Sequence, residues 1–215
     1  MLVLKFQHMK GVIFDLDGVL VDTAVYHFMA WKRLAKELNI DFTESDNERL
    51  KGVSRMRSLE ILLELGHISA SEEEKKLLAE KKNSWYMEML QNLTEDHLLP
   101  GARSLLNYLK TNGYKIALGS ASKNARFILM KLGIQSFFDV IVDGNRVVNA
   151  KPDPEVFIKA ADDLGLPYRQ CVVFEDSLAG IEAAKSAGMK VVAVGNQDLL
   201  PGADWYIQKL TECLG

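Results

Sequence analysis

Residues 10–15 read Lys-Gly-Val-Ile-Phe-Asp, a continuous apolar run closed by charge at both ends. A run without alternation is what a strand covered on both faces presents, as in the middle of a parallel sheet. From residue 24 the period lengthens. Val25, Phe28, Trp31, Leu34, Ala35 and Leu38 recur every three or four positions and predict an amphipathic helix over 24–38. Leu59, Leu62, Leu63 and the stretch 71–90 continue that period, with Ser69 and Glu72 spaced as a capping box. No strand-like run lies between Thr23 and His97, so this stretch is expected to be all helical.

After Pro100-Gly101 the two periods alternate. Helices over 102–111, 124–132, 154–164 and 178–187 are each followed by a short apolar run, at 115–119, 140–142, 171–174 and 190–194. Gly113, Gly133, Gly165 and Gly188 stand just past the predicted helices, where a left-handed residue closes the last turn. Repeated αβ units of this length predict an α/β fold: a doubly wound, Rossmann-like parallel sheet with helices on both faces. Strand 10–14 belongs to that sheet. The helical stretch is then an insertion, which divides the chain into an α/β core of 1–21 and 98–215 and an inserted α-helical domain of 22–97.

The chain has 215 residues, 48% hydrophobic and 26% charged, values that exclude a disordered or fibrous chain. Its 26 basic and 29 acidic side chains leave a net charge of −3, which supplies no footprint for binding nucleic acid through bulk charge. Any anion must be held by a local site. Cys171 and Cys213 stand in no metal-ligand spacing and form no disulfide framework, so a reducing, cytoplasmic setting is expected. The amino end lacks the marks of a signal peptide or membrane span, and Met9 is an alternative start to Met1. No feature predicts self-association, so a monomer without membrane or nucleic-acid partners is expected.

In open parallel sheets, ligands bind beyond the carboxyl ends of the strands. Those ends carry Asp15-Leu16-Asp17-Gly18, then Ser120-Ala121-Ser122-Lys123-Asn124, then Asp143 with Lys151-Pro152 beyond it, then Glu175-Asp176-Ser177. Aspartates at i and i+2 of an exiting strand point the same way, so two carboxylates reach one centre. They repel unless a cation lies between them or one is protonated. Asp176 and Glu175 add to the cluster from another strand end. An oxygen-rich site with room for water and phosphate suits Mg²⁺, and Lys151 and Ser120 bring a positive charge and a hydroxyl suited to a phosphoryl group. Acidic residues at strand ends also serve as ordinary helix caps, and Asp143 is read that way. An Asp-x-Asp wedged between a buried strand and a glycine costs desolvation unless it is used.

Asp15-Leu16-Asp17-Gly18-Val19-Leu20-Val21-Asp22-Thr23 resembles the nucleophile loop of the haloacid dehalogenase-like superfamily, and Ser120, Lys151-Pro152 and Glu175-Asp176 match its later motifs in order. The helical insertion resembles that superfamily's cap domain. Within it, Lys51-Gly52-Val53-Ser54-Arg55, together with His27, Trp31 and the segment Ser120 to Asn124, is similar to the β-phosphoglucomutase family. The resemblance implies a Mg²⁺-dependent phosphoaspartyl mechanism on a small sugar phosphate, in which β-glucose 1-phosphate and glucose 6-phosphate interconvert through the 1,6-bisphosphate; a sugar-phosphate phosphatase is the alternative. It implies Asp15 as nucleophile, Asp17 as general acid and base, and Lys151 and Ser120 on the phosphoryl oxygens. Asp15, Asp17 (through its main-chain carbonyl), Asp176 and Glu175 would hold the metal. Arg55, Ser122, Lys123 and Asn124 would bind the second phosphate, while Gly52, Val53, Ser54 and Ala121 lie along the sugar. Thr23, His27, Trp31 and Lys82 would complete the substrate site, His27 and Lys82 as a pair linked to cap closure. Packing is the competing account of Thr23, His27 and Trp31, and a solvated charge that of Arg55 and Lys82.

Overall fold

The structure, a computed structural model, describes residues 8–50 and 53–214. Among them are six strands, β1 (Gly11–Phe14), β2 (Lys115–Gly119), β3 (Val140–Val142), β4 (Cys171–Glu175), β5 (Lys190–Val194) and β6 (Trp205–Ile207). They form one sheet in the order β3-β2-β1-β4-β5-β6, with every neighbouring pair parallel. The strand order reverses at β1, where chain connections leave to both sides and open a crevice at the carboxyl end. The four residues of β1 are buried throughout, as their unbroken apolar run predicts.

Alternation along the strands sorts their side chains onto two faces. Ile13, Ala117, Val142, Val173 and Val191 join Val156, Phe157 and Ala160 of α7 (Glu155–Leu164) and Ile181, Ala183 and Ala184 of α8 (Leu178–Ser186) in one apolar cluster. Val12, Phe14, Ile116, Leu118, Val172 and Phe174 therefore point to the opposite face, where Phe14 and Phe174 stack with ring centroids 4.9 Å apart. Helix α5 (Ala102–Thr111) packs on β2, and α6 (Ala125–Lys131) precedes β3. The glycines at 113, 133, 165 and 188 have φ between 64 and 77°. β6 was not anticipated. It is a three-residue edge strand, mostly half-buried, too short to show a period.

The described residues fall into two compact units, one up to Asp22 and from Thr94 onward, the other Thr23–Leu93. Asp22 and residues 94–97, expected in the helical insertion, lie with the α/β unit, where Arg103 of α5 holds Glu95 at 2.6 Å. The second unit holds α1 (Ala24–Glu37), α2 (Glu44–Glu48), α3 (Arg55–Leu65) and α4 (Glu72–Leu90). Its core gathers Trp31, Leu34, Ala35, Phe42, Leu59, Leu62 and Trp85. Two local expectations are corrected. Val25, placed on the apolar stripe of α1, is 52% exposed, because the buried stripe begins at Ala30 and Trp31. The capping box of α4 is made by Ser71 and Glu74 rather than Ser69 and Glu72, each side chain bonded to the other's main-chain N–H. The chain reaches helical geometry at Glu72, so the cap falls one residue earlier.

Candidate active site

The sheet register sets the geometry. Phe14 pairs with Leu118 on one side and Phe174 on the other, so Asp15 and Glu175 emerge in one row at the carboxyl edge. The Asp15 N–H continues the ladder to the Phe174 carbonyl at 3.0 Å, which fixes its backbone. By alternation both acids share the face of Ile13 and Val173, the face covered by α7 and α8. There the Lys151 ammonium lies between them, 2.6 Å from Asp15 Oδ1 and 2.5 Å from Glu175 Oε1, all three side chains buried. It also stands 4.8 Å above the Phe157 ring. Gly119 makes room for that ring: a Cβ there would meet Phe157 Cδ1 at 2.9 Å.

Glu175 is engaged on both oxygens. Oε2 accepts the N–H groups of Asp176 and Ser177, each at 2.8 Å, and the Ser177 hydroxyl at 2.9 Å. Ser177 in turn caps α8 by accepting the Gly180 N–H at 3.1 Å. Gly180 is required, because a Cβ there would lie 1.9 Å from Glu175 Oε1. Ser177 closes the Glu175-Asp176-Ser177 strand end without a role assigned from the sequence, and Gly180 carries no signal there. Their tie to Glu175 crosses the first turn of a helix, and no spacing rule reports it. With protein donors on both oxygens, Glu175 is fixed in place and in turn orients Lys151.

Asp176 packs against the loop that follows Asp15. A Cβ on Gly18 would fall 1.9 Å from Asp176 Oδ2, and Gly18 has a φ of 75°, a region that favours glycine. The loop is closed by the Gly18 N–H on the Val21 carbonyl at 2.8 Å and by Leu20 and Val21 N–H groups on the Leu16 carbonyl. Burial raises the Asp15 carboxyl to about 7, with Glu175 and Asp17 adding to the rise and Lys151 opposing it. Burial likewise raises Asp176 to about 8, helped by Glu175 and Asp15. Lys151 is raised because the two carboxylates outweigh its burial. A cluster whose acids hold protons into the neutral range is short of positive charge.

Among the described residues no three His, Cys, Asp or Glu side chains form a ready ligand group. The carboxylates here that fit Mg²⁺ are Asp15 and Asp176, close enough that Asp15 raises the Asp176 carboxyl. Such a set leaves positions for water and a phosphate oxygen, as Mg²⁺ prefers.

Ser120 is buried at the end of β2, its N–H on the Val142 carbonyl at 3.0 Å and its Oγ accepting the Ser122 N–H at 3.2 Å. Ser122 Oγ accepts the Asn124 N–H at 3.3 Å, so Ala121 to Asn124 form a tight turn with Lys123 exposed. Asp143 caps a turn rather than a helix. It is buried, accepts the Asn145 N–H at 3.0 Å and pairs with Arg126 Nε at 3.4 Å. Burial pushes the Cys171 and Cys213 thiols up to about 11 and about 12, which keeps both in the thiol form.

In the helical unit, Lys82 Nζ lies 2.7 Å from His27 Nδ1 and sits 4.5 Å over Trp31 and 4.8 Å over Tyr86. Tyr86, absent from the sequence reading, stacks on His27 at 4.0 Å and shares a 2.9 Å hydroxyl bond with Thr23. Thr23 and Trp31 are buried, Trp31 in the unit's core, so its indole cradles the lysine rather than lining an open surface. Ser54 caps α3 on the Arg57 N–H at 3.3 Å, and Arg55 opens that helix with its guanidinium lowered by burial. Val53 is half-buried, while Gly52 and Lys51 lie outside the described residues.

Residues 12–194 match the family described as haloacid dehalogenase-like hydrolase. The chain is 45% identical over 206 residues to the beta-phosphoglucomutase of Bacillus subtilis, which covers 95% of this chain and 91% of that one. It is 38% identical to a phosphorylated carbohydrates phosphatase of Thermotoga maritima, over 85% and 83% of the two chains. The crystal structure of beta-phosphoglucomutase from Clostridium difficile superposes with a TM-score of 0.92 at 45% identity, over 95% and 92% of the chains. With the family matched along most of its length, the chain belongs to the haloacid dehalogenase-like hydrolases.

Proposed function

We propose that the protein is a Mg²⁺-dependent phosphomutase that interconverts β-D-glucose 1-phosphate and glucose 6-phosphate. The observation that carries this reading is the 45% identity to a beta-phosphoglucomutase across 95% of the chain. The buried group of Asp15, Lys151 and Glu175 supplies chemistry that suits it. Asp15 is the nucleophile: Lys151 holds Oδ1, so the carboxylate keeps one orientation as its other oxygen attacks phosphorus and forms an aspartyl phosphate. Asp17, two residues on, protonates the leaving sugar oxygen and later takes the proton from the accepting hydroxyl. Lys151 and the Ser120 hydroxyl hold phosphoryl oxygens, where charge spreads in the transition state. Asp15, Asp176 and the Asp17 carbonyl would hold Mg²⁺, which would balance these carboxylates and draw charge from the phosphoryl group.

Arg55 presents a planar fork suited to the phosphate that is not being transferred, with Ser122, Lys123 and Asn124 as further donors. His27, Lys82 and Thr23 shape the helical unit's part, and Val53, Ser54 and Ala121 contact the sugar. The protein acts as a cytoplasmic monomer on a free sugar phosphate; its two cysteines are buried free thiols, and no described helix is long and apolar enough to cross a membrane.

A second reading, a sugar-phosphate phosphatase, is favoured by the 38% identity to the Thermotoga maritima phosphatase. The two separate in one assay. β-Glucose 1-phosphate is supplied with a trace of the 1,6-bisphosphate, and glucose 6-phosphate and free phosphate are followed together. The mutase yields glucose 6-phosphate with little free phosphate; phosphate release without isomerisation overturns it.

A further inference from the structure

Lys151 stands at the tip of a turn whose two limbs are tied together at the base. Glu155, the first residue of α7, folds back so that its carboxylate accepts the Asn149 N–H at 2.7 Å and the Val148 N–H at 3.1 Å. Lys159, one helical turn on, donates to Glu155 Oε1 at 2.5 Å and to the Arg146 carbonyl at 2.7 Å. Within the turn, the Asp153 N–H donates to the Ala150 carbonyl at 3.0 Å, and the Asp153 carboxylate accepts the Glu155 N–H at 2.9 Å. Pro152 and Pro154 flank Asp153, each with a fixed φ and no donor of its own. The chain leaving β3 and the chain entering α7 are thus clasped, while the Lys151 side chain runs inward to Asp15 and Glu175. Hydrogen bonds from Lys159 and from the Asn149 and Val148 N–H groups hold the Glu155 carboxyl down at about 2, so the clasp is charged at any working pH.

We propose that Glu155 is a positioning residue for phosphoryl transfer: by clasping Val148 and Asn149 to α7, it fixes where the Lys151 ammonium stands against Asp15 and the transferring phosphate. This rests on the reading of Lys151 as the group that holds phosphoryl oxygens. Glu155 touches neither substrate nor metal and acts through the lysine alone. The competing role is local: an acid in the first turn of a helix stabilises that helix by its charge. That role would change stability without a preference for any step of the reaction.

A double-mutant cycle separates the two. E155Q, K151M and the double variant are compared for kcat and KM with Mg²⁺ and sugar phosphate, and for inorganic phosphate affinity by calorimetry. A displaced ammonium weakens an interaction made mainly in the transition state, so E155Q should lower kcat about tenfold or more with KM changed less than about threefold. In the K151M background, E155Q should have no further effect on residual turnover or on phosphate affinity. E155D, which keeps the charge, should recover part of the lost kcat. An equal loss from E155Q in both backgrounds, or a lower melting temperature with kcat intact, overturns the proposal. A wild-type protein inactive on sugar phosphates would instead overturn the function proposed above, and inorganic phosphate, held at the Lys151 ammonium without a sugar to anchor it, would then decide. Weaker binding in E155Q than in the parent, with no difference in the K151M background, supports the clasp, and equal binding in E155Q and the parent overturns it.

Discussion

Asp15 and Lys151, 136 positions apart in the sequence, meet as a buried ion pair with Nζ 2.6 Å from Oδ1. The ammonium reaches Glu175 on its other side. One lysine therefore balances two buried carboxylates and, in the proposed reaction, orients the attacking one, and the two roles can be measured apart.

Lys151→Met keeps the length and apolar stem of the side chain but leaves Asp15 and Glu175 buried with no ammonium between them. Orphaning a buried ion-pair partner costs about 3–5 kcal/mol, and the loss is expected in urea unfolding of metal-free protein at pH 7. Turnover on sugar phosphate should fall by roughly a hundredfold or more, the scale of losing one preorganised charge at a developing anion. Unchanged stability would mean that the pair contributes nothing to the metal-free fold, and unchanged turnover that the ammonium does not serve the reaction.

Gly180→Ala tests the support behind that lysine. The new Cβ would lie 1.9 Å from Glu175 Oε1, so the carboxylate must leave its place between Ser177 and Lys151. Overpacking of this kind costs about 1–3 kcal/mol, although alanine is otherwise the better residue within a helix. Denaturant unfolding checks the sign. An alanine variant as stable and as active as the parent would show that Glu175 moves aside freely and does not hold Lys151.

Gly180 also marks where sequence reading stops. Asp15 and Asp17 are legible because two aspartates at spacing two, after a buried run, have few other uses. The sheet is legible because five strands each follow a helix or a loop with a change of period. Ser177, Gly180 and Glu155 are not, since each acts by touching a residue across the start of a helix, where partner and spacing are free to vary. Trp31 and Tyr86 sit on regular helical periods, and periodicity cannot separate an aromatic that packs from one that shelters a lysine. β6 pairs only with β5, and its three residues are too few for a pattern.

His27 gives a pH dependence with a definite sign. Lysine only donates, so Lys82 on Nδ1 fixes the imidazole as the neutral tautomer with its proton on Nε2. Burial, with Lys82 and Arg55 close by, holds its pKa well below 6.5. Below about pH 6.5 the unfolded chain takes up a proton that the folded one refuses, so this histidine makes stability fall as pH falls. The slope approaches about 1.4 kcal/mol per pH unit. Denaturant unfolding of wild type and His27→Gln at pH 5 to 8, in saturating Mg²⁺ to silence the acid cluster, should show the slope below pH 6.5 in the wild type and its loss in the variant. Parallel curves would contradict a neutral His27.

Asp15 and Asp176 give the opposite sign. With their carboxyls raised to about 7 and about 8, mainly by burial, the metal-free folded protein holds protons that the unfolded chain has already lost. Its stability should therefore decline as pH rises from about 4 to 8. Mg²⁺ and these protons compete for the same oxygens, so Mg²⁺ affinity should rise with pH, on the order of tenfold or more between pH 6 and 8, and then level off. Calorimetric titration in two buffers of different ionisation enthalpy counts the protons released. Asp176→Asn should lose both the affinity and the release. A Mg²⁺ affinity that is flat across this range, with no proton set free, would show that the acids are already ionised without the metal and that the cluster is not short of positive charge.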